Sequence, residues 1–226
     1  MNLFRNWYAT LTANWREAFR DENFRRYFVP NFLVCLVVYY CVIYWLNLNS
    51  TRPGMIINDP LYRFLEPRDF SAIIFFFTYS AAFLTLLYVL QYPLLLQRAL
   101  VAFVAIFVIR AVCIYFIPLS PSPGIVPLID PFTDTMGHEG RIMNDLFFSG
   151  HVADLVLFVI LCRSVMLKRY LLLCTIAVAT LLIWQRVHYT IDVMVAPAFA
   201  YACFWLFVDK DFIWKPFLKK PQFESN

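Results

Sequence analysis

Six stretches of mostly apolar residues, each close to the length that crosses a bilayer, dominate this 226-residue chain. They fall at about 27–48, 70–91, 94–119, 151–168, 170–187 and 190–208. A helix needs about 20 such residues to cross roughly 30 Å of hydrocarbon, where the backbone must satisfy its own hydrogen bonds. Composition agrees, with 62% hydrophobic and 15% charged residues, against about 45–50% and about 25% in soluble domains. A net charge of +4 without a basic stripe excludes a nucleic-acid binder, and the apolar content excludes a soluble or disordered chain. The expectation is an all-α integral membrane protein: a six-transmembrane-helix bundle with an N-terminal interfacial amphipathic helix. No polar block is large enough for a second folded domain. The chain divides into 1–26 (interfacial helix), 27–208 (six-span membrane domain) and 209–226 (tail).

Basic residues orient the bundle. Arg5, Arg16, Arg20, Arg25, Arg26, Arg98, Arg163, Lys168, Arg169 and the tail lysines 210, 215, 219 and 220 fall on one side. Only Arg52, Arg63, Arg68 and Arg141 occupy the loops opposite. The positive-inside rule makes both termini cytoplasmic and puts loops 49–69 and 120–150 on the exoplasmic, lumenal or periplasmic side. Leu3, Trp7, Leu11, Trp15 and Phe19 recur every four residues among charges, as in a helix lying in the headgroup region. The first apolar run starts only near Tyr27, after five arginines, which does not fit a cleavable signal peptide. The six cysteines sit in apolar segments without pairing rhythm and read as small buried fillers. Loop 120–150 holds Pro121, Pro123, Pro127 and Pro131 together with Gly124, Gly137 and Gly140, so it cannot be one helix, and its apolar residues suggest that it folds back over the mouth of the bundle.

Charges inside a bilayer are costly and mark function by default. Here they are Arg110, Asp154, Arg186, His188 and Asp192, with His151 at a span entrance. The expected topology brings all of them, from four helices, to the exoplasmic half. His188 and Asp192 stand four residues apart, so the carboxylate can fix the imidazole tautomer and raise the basicity of the other nitrogen. His151 is a second proton-transfer group. Arg110 and Arg186 offer guanidinium forks suited to phosphate oxygens. Ser149 and Gly150 open a helix whose free N–H groups attract anions. Asp154 orients His151, meets a substrate amine or hydroxyl, or serves as a charge at the helix N-terminus. His138 and Glu139 read as surface residues. His151, His188 and Asp192 are also acceptable metal ligands, but the arginines favour phosphoryl transfer, and no metal or cofactor is expected.

Two strings, Asn144-Asp145-Leu146-Phe147-Phe148-Ser149-Gly150-His151 and His188-Tyr189-Thr190-Ile191-Asp192-Val193, resemble motifs of the sphingomyelin synthase family. That family is a branch of the lipid phosphatase/phosphotransferase superfamily, which includes the type 2 phosphatidic acid phosphatases. Arg110 through Pro118-Leu119 to Pro123-Gly124 resembles a second motif, and Pro60-Leu61 to Pro67-Arg68-Asp69 a first. The resemblance implies transfer of a phosphocholine- or phosphoethanolamine-type headgroup from a glycerophospholipid to a ceramide-like alcohol. His188 would attack phosphorus with the help of Asp192, giving a phosphohistidine. His151 would handle the hydroxyl proton, with Asp145 and Tyr189 counted among the phosphate- and substrate-binding residues. The chain departs from the family at Val152, where Thr is common, and at Asp154, an added charge. The Lys-x6-Arg-Pro signature of the broader lipid phosphatases is absent, and Leu182 stands where they carry arginine.

Two rivals remain. A lipid phosphate phosphatase or phospholipase C would use the same triad with water as acceptor. A non-catalytic lipid transporter or scaffold would not need the triad, and halves 1–113 and 114–226 show no inverted repeat to support transport. The expected partners are the membrane, a phospholipid donor and a lipid alcohol acceptor, with oligomerisation left open.

Overall fold

A computed structural model describes residues 2–49, 52–130 and 146–210. Among them the chain forms helices α1 (Asn2–Ala18), α2 (Glu22–Asn49), α3 (Ser71–Val89), α4 (Pro93–Phe116), α5 (Gly150–Leu161), α6 (Val165–Trp184) and α7 (Thr190–Phe204). A 3-10 turn covers Pro60–Arg63, and a π turn, Trp205–Asp209, continues α7. No strand forms among the described residues, only an isolated bridge between Met55 and Leu119.

Among the described residues, five helices are long and apolar enough to span: α2, α3, α4, α6, and α7 with its π turn. The fourth expected span, 151–168, is not one continuous helix. There α5 stops at Leu161 after 12 residues, a rise of about 18 Å, too short to cross alone. Cys162 has extended backbone, and Ser164 starts α6 with its carbonyl accepting from Lys168 N–H at 2.8 Å. Hydropathy alone reads through this turn because the residues on both sides are apolar. A short α5 is tolerable because of where it lies. It packs on α3, α4, α6 and α7, and Val152, Ala153, Leu155 and Leu157 are fully buried in the main core.

The N-terminal segment also differs from its expected limits. α1 ends at Ala18, and α2 begins at Glu22, where Asp21 accepts from Phe24 N–H at 3.0 Å. Trp7, Leu11 and Trp15 are half-buried, whereas Arg5, Arg16 and Glu17 are exposed. The Trp15 indole donates to Leu90 O and the Asn14 amide to Gln91 O, both at 2.7 Å, so α1 docks on the α3–α4 turn. Arg98, expected in a loop, instead lies inside α4 and is buried.

At the opposite end two loops close over the bundle. Met55 N–H donates to Pro118 O at 2.8 Å and Ser120 N–H to Met55 O at 2.9 Å. Gly54 N–H donates to the Ser120 hydroxyl, which donates to Gly54 O. A Cβ on Gly54 would lie 2.5 Å from Pro118 O. That oxygen is backbone and cannot swing aside. Gly54→Ala is therefore expected to lower stability by about 1–3 kcal/mol, measured as a fall in the thermal unfolding temperature in detergent; an unchanged temperature would contradict this crossing.

Candidate active site

The strap 146–149, between the second loop and α5, is held on both sides. On one side α4 supplies Arg110, buried at 7% exposure, whose Nε donates to Phe148 O at 2.8 Å. Its guanidinium lies over the start of α5: a Cβ on Gly150 would come within 3.1 Å of Nη1. On the other side the α6–α7 corner supplies His188, whose Nδ1 stands 3.1 Å from Leu146 O and 3.6 Å from Asp192 Oδ2. Ser149 N–H donates to the backbone carbonyl of Asp192 at 3.1 Å, and Phe148 stacks on Phe199 of α7 with centroids 4.3 Å apart. Ser149 caps α5, its hydroxyl accepting from Val152 N–H.

Both neighbours of His188 Nδ1 are acceptors. The network therefore assigns the proton to Nδ1 and leaves the lone pair on Nε2. Asp192 is fully buried in the first turn of α7, where Oδ2 also accepts from Tyr189 N–H at 3.1 Å. Its Oδ1 has no hydrogen-bond partner among the described residues. A positive charge on the imidazole would be stabilised by that carboxylate at short range.

His151 sits in the first turn of α5, half-buried, its ring meeting Phe75 of α3 edge-on at 6.0 Å. It lies within electrostatic reach of His188, Arg110 and Asp130. Asp154 follows one turn along α5, with Oδ1 buried and without a hydrogen-bond partner among the described residues. Thus Arg110, Ser149, Gly150, His151, His188 and Asp192 gather around one strap. Asp145, His138 and Glu139 lie outside the described residues. Among the described residues, no three of His, Cys, Asp and Glu gather to hold a metal ion.

Two expected substrate-binding residues are engaged elsewhere. Arg186 ends α6 in the left-handed region, φ 60°. Val187 N–H bonds Leu182 O and Arg186 N–H bonds Ile183 O, a Schellman ending that usually takes glycine. Its guanidinium bonds Pro123 O at 2.9 Å, Tyr62 O at 2.9 Å and Leu65 O at 3.1 Å, and covers the Tyr62 ring. It therefore ties both loops to the corner that carries His188. Tyr189 is buried under the same loops, donating to Ser120 O at 3.1 Å and accepting from Ile57 N–H.

Three supporting residues stand outside the expected set. Asp59 is buried and caps α7 from the first loop, accepting from Thr190 N–H at 2.6 Å and from its hydroxyl at 3.0 Å. Tyr62 donates to His188 O at 3.0 Å, and burial pushes its phenol up, keeping the donor protonated. Gln185, fully buried, accepts from Phe70 N–H and donates to Ser71 Oγ and Val126 O. A short acidic turn before proline was the only sequence signal for Asp59, and a polar residue inside an apolar run the only one for Gln185.

Residues 144–209 match the family described as PAP2 superfamily C-terminal, a segment holding the strap, both histidines and Asp192. The match supports the lipid phosphatase/phosphotransferase superfamily and does not distinguish among its branches. No curated protein and no solved structure matches the chain.

Arg186 separates two energies that its variants can measure. Arg186→Ala loses the loop bonds and keeps the unfavourable backbone, whereas Arg186→Gly loses only the bonds. Both are expected to unfold below the parent protein, with Gly more stable than Ala by about 1 kcal/mol; equal melting of Gly and Ala would refute backbone strain at this corner.

Proposed function

We propose that the protein is a membrane phosphotransferase that moves a phosphocholine- or phosphoethanolamine-type headgroup from a glycerophospholipid to a ceramide-like lipid alcohol. The observation that carries the proposal is His188 with Nδ1 between Leu146 O and Asp192, on a strap whose far side is held by Arg110. In this mechanism Nε2 of His188 attacks the phosphorus of the donor. The N–P bond forms as the P–O bond to glycerol breaks, and His151 gives its proton to the departing diacylglycerol oxygen. The acceptor hydroxyl then yields its proton to His151 and attacks phosphorus, and the N–P bond breaks. Asp192 balances the positive charge on the His188 ring during both steps. Arg110, the first N–H groups of α5 and Ser149 stabilise the phosphoryl oxygens. The termini would face the cytoplasm, the site the exoplasmic side, and α1 would lie at the cytoplasmic interface.

A specific observation favours a second reading. The PAP2 match fits equally a phosphatase or phospholipase C, in which water takes the place of the lipid alcohol at the second step. The acceptor, not the triad, separates the two.

Purified protein given headgroup-labelled phosphatidylcholine or phosphatidylethanolamine, with and without ceramide, is expected to form a headgroup-bearing sphingolipid only when ceramide is present. His188→Ala should lose at least about 10³-fold of this turnover and Asp192→Asn about 10²–10⁴-fold. Exclusive release of label into water would replace the transferase with the hydrolase. Full activity in both variants would refute the mechanism, and no turnover of either lipid by the parent protein would return the lipid transporter or scaffold.

A further inference from the structure

His151 stands between charges of opposite sign. Arg110 and His188 approach it from α4 and from the corner between α6 and α7, and Asp130 approaches it from the second loop. The Asp130 carboxylate is anchored in that place. Ile129 N–H donates to Ser71 Oγ at 3.1 Å, which fixes this part of the loop on the start of α3. The Tyr79 hydroxyl donates to the carboxylate, 2.7 Å from Oδ1 and 2.8 Å from Oδ2. Tyr79 stacks on Phe75 with centroids 5.5 Å apart, and Phe75 meets the His151 ring edge-on at 6.0 Å. A row of three rings thus joins the carboxylate to the imidazole. Asp130 is half-buried and Tyr79 exposed, so the pair borders the outside of the bundle and not its core. The mechanism above uses Arg110 and His188 and gives Asp130 no part.

We propose that Asp130, held by Tyr79, binds the ammonium group of the donor headgroup and selects a primary ammonium over a trimethylammonium. The deduction rests on the headgroup chemistry proposed above and narrows its two headgroups to the phosphoethanolamine type. The donor phosphate takes the positive side of His151, at Arg110 and the start of α5. The ammonium lies two carbons beyond a phosphate oxygen and is repelled by that side. Asp130 is the group of opposite sign across His151, so headgroup and site match end for end. The chemistry of a carboxylate then sets the selectivity. Its two oxygens have about four acceptor sites, and the tyrosine hydroxyl has one proton to give. A primary ammonium brings three N–H donors, which form charge-assisted bonds to such oxygens. A trimethylammonium has none and depends on open ring faces, and one face of Tyr79 is covered by Phe75.

Consumption of the donor is followed, so that transfer to a lipid and release to water count alike. The parent protein in detergent is given phosphatidylethanolamine, its N-methyl and N,N-dimethyl derivatives, and phosphatidylcholine. The kcat/KM for consumption is expected to fall along this series, by about tenfold from first to last, and most steeply where the last N–H is lost. Asp130→Asn should bring the four donors to within about twofold of one another, and Asp130→Ser serves if the first variant does not fold. Equal consumption of all four donors by the parent would overturn the subsite and leave the headgroup chemistry standing. So would a preference undiminished in a slower variant, which makes Asp130 a partner of His151 instead, or folded variants inactive on every donor. A graded series that ends in release to water replaces the transferase with the hydrolase and supports the subsite. No consumption of any donor by the folded parent refutes the headgroup chemistry, and the subsite with it.

Discussion

The site depends on one short strap, residues 146–149, and on its being held from both sides. Arg110 takes the carbonyl of Phe148, and the carbonyl of Leu146 takes Nδ1 of His188. These oxygens lie two residues apart, so the positions of a buried guanidinium and a buried imidazole are set against a common reference. Ser149 N–H on the carbonyl of Asp192 adds a third connection, this time to the helix that carries the carboxylate. Buried inside the protein, each of these polar groups needs its partner, and the partners provided place the charges together. The same burial makes a carboxylate near an imidazole far more effective than at a solvent-exposed surface.

The loops over the mouth support this arrangement. Asp59 caps α7 from across the bundle, Tyr62 holds the carbonyl of His188, and Arg186 ties three loop carbonyls to the corner between α6 and α7. Residues that look like phosphate ligands by type thus divide into two groups. Arg110 borders the start of α5, while Arg186 and Tyr189 hold the frame in which His188 sits. Position and partners, and not charge, separate them.

Much of this was legible in the sequence because hydropathy and charge are nearly exclusive in such a chain. The spans 70–91, 94–119 and 190–208 agree with α3, α4 and α7 with its π turn to within a few residues. The strings around Ser149-Gly150-His151 and His188 to Asp192 pointed to the strap and the corner. What was not legible depends on local geometry. The break at Cys162–Ser164 is set by backbone turning between two apolar helices, and hydropathy carries no signal for it. The fate of the Arg186 guanidinium depends on carbonyls from two distant loops, and the capping role of Asp59 on a contact 131 residues away in the chain. Such partners are chosen by tertiary packing, which no periodicity reports.

The central claim is that Nε2 of His188 carries the phosphoryl group. It is tested most directly by trapping that species. The parent protein, whose second step stalls without an acceptor, is incubated with headgroup-labelled donor alone, quenched in alkali and digested. The account predicts an acid-labile, alkali-stable label on the peptide containing His188, absent from His188→Gln. Label on another residue, or product formed by the parent protein with no labelled intermediate under any quench, would contradict it.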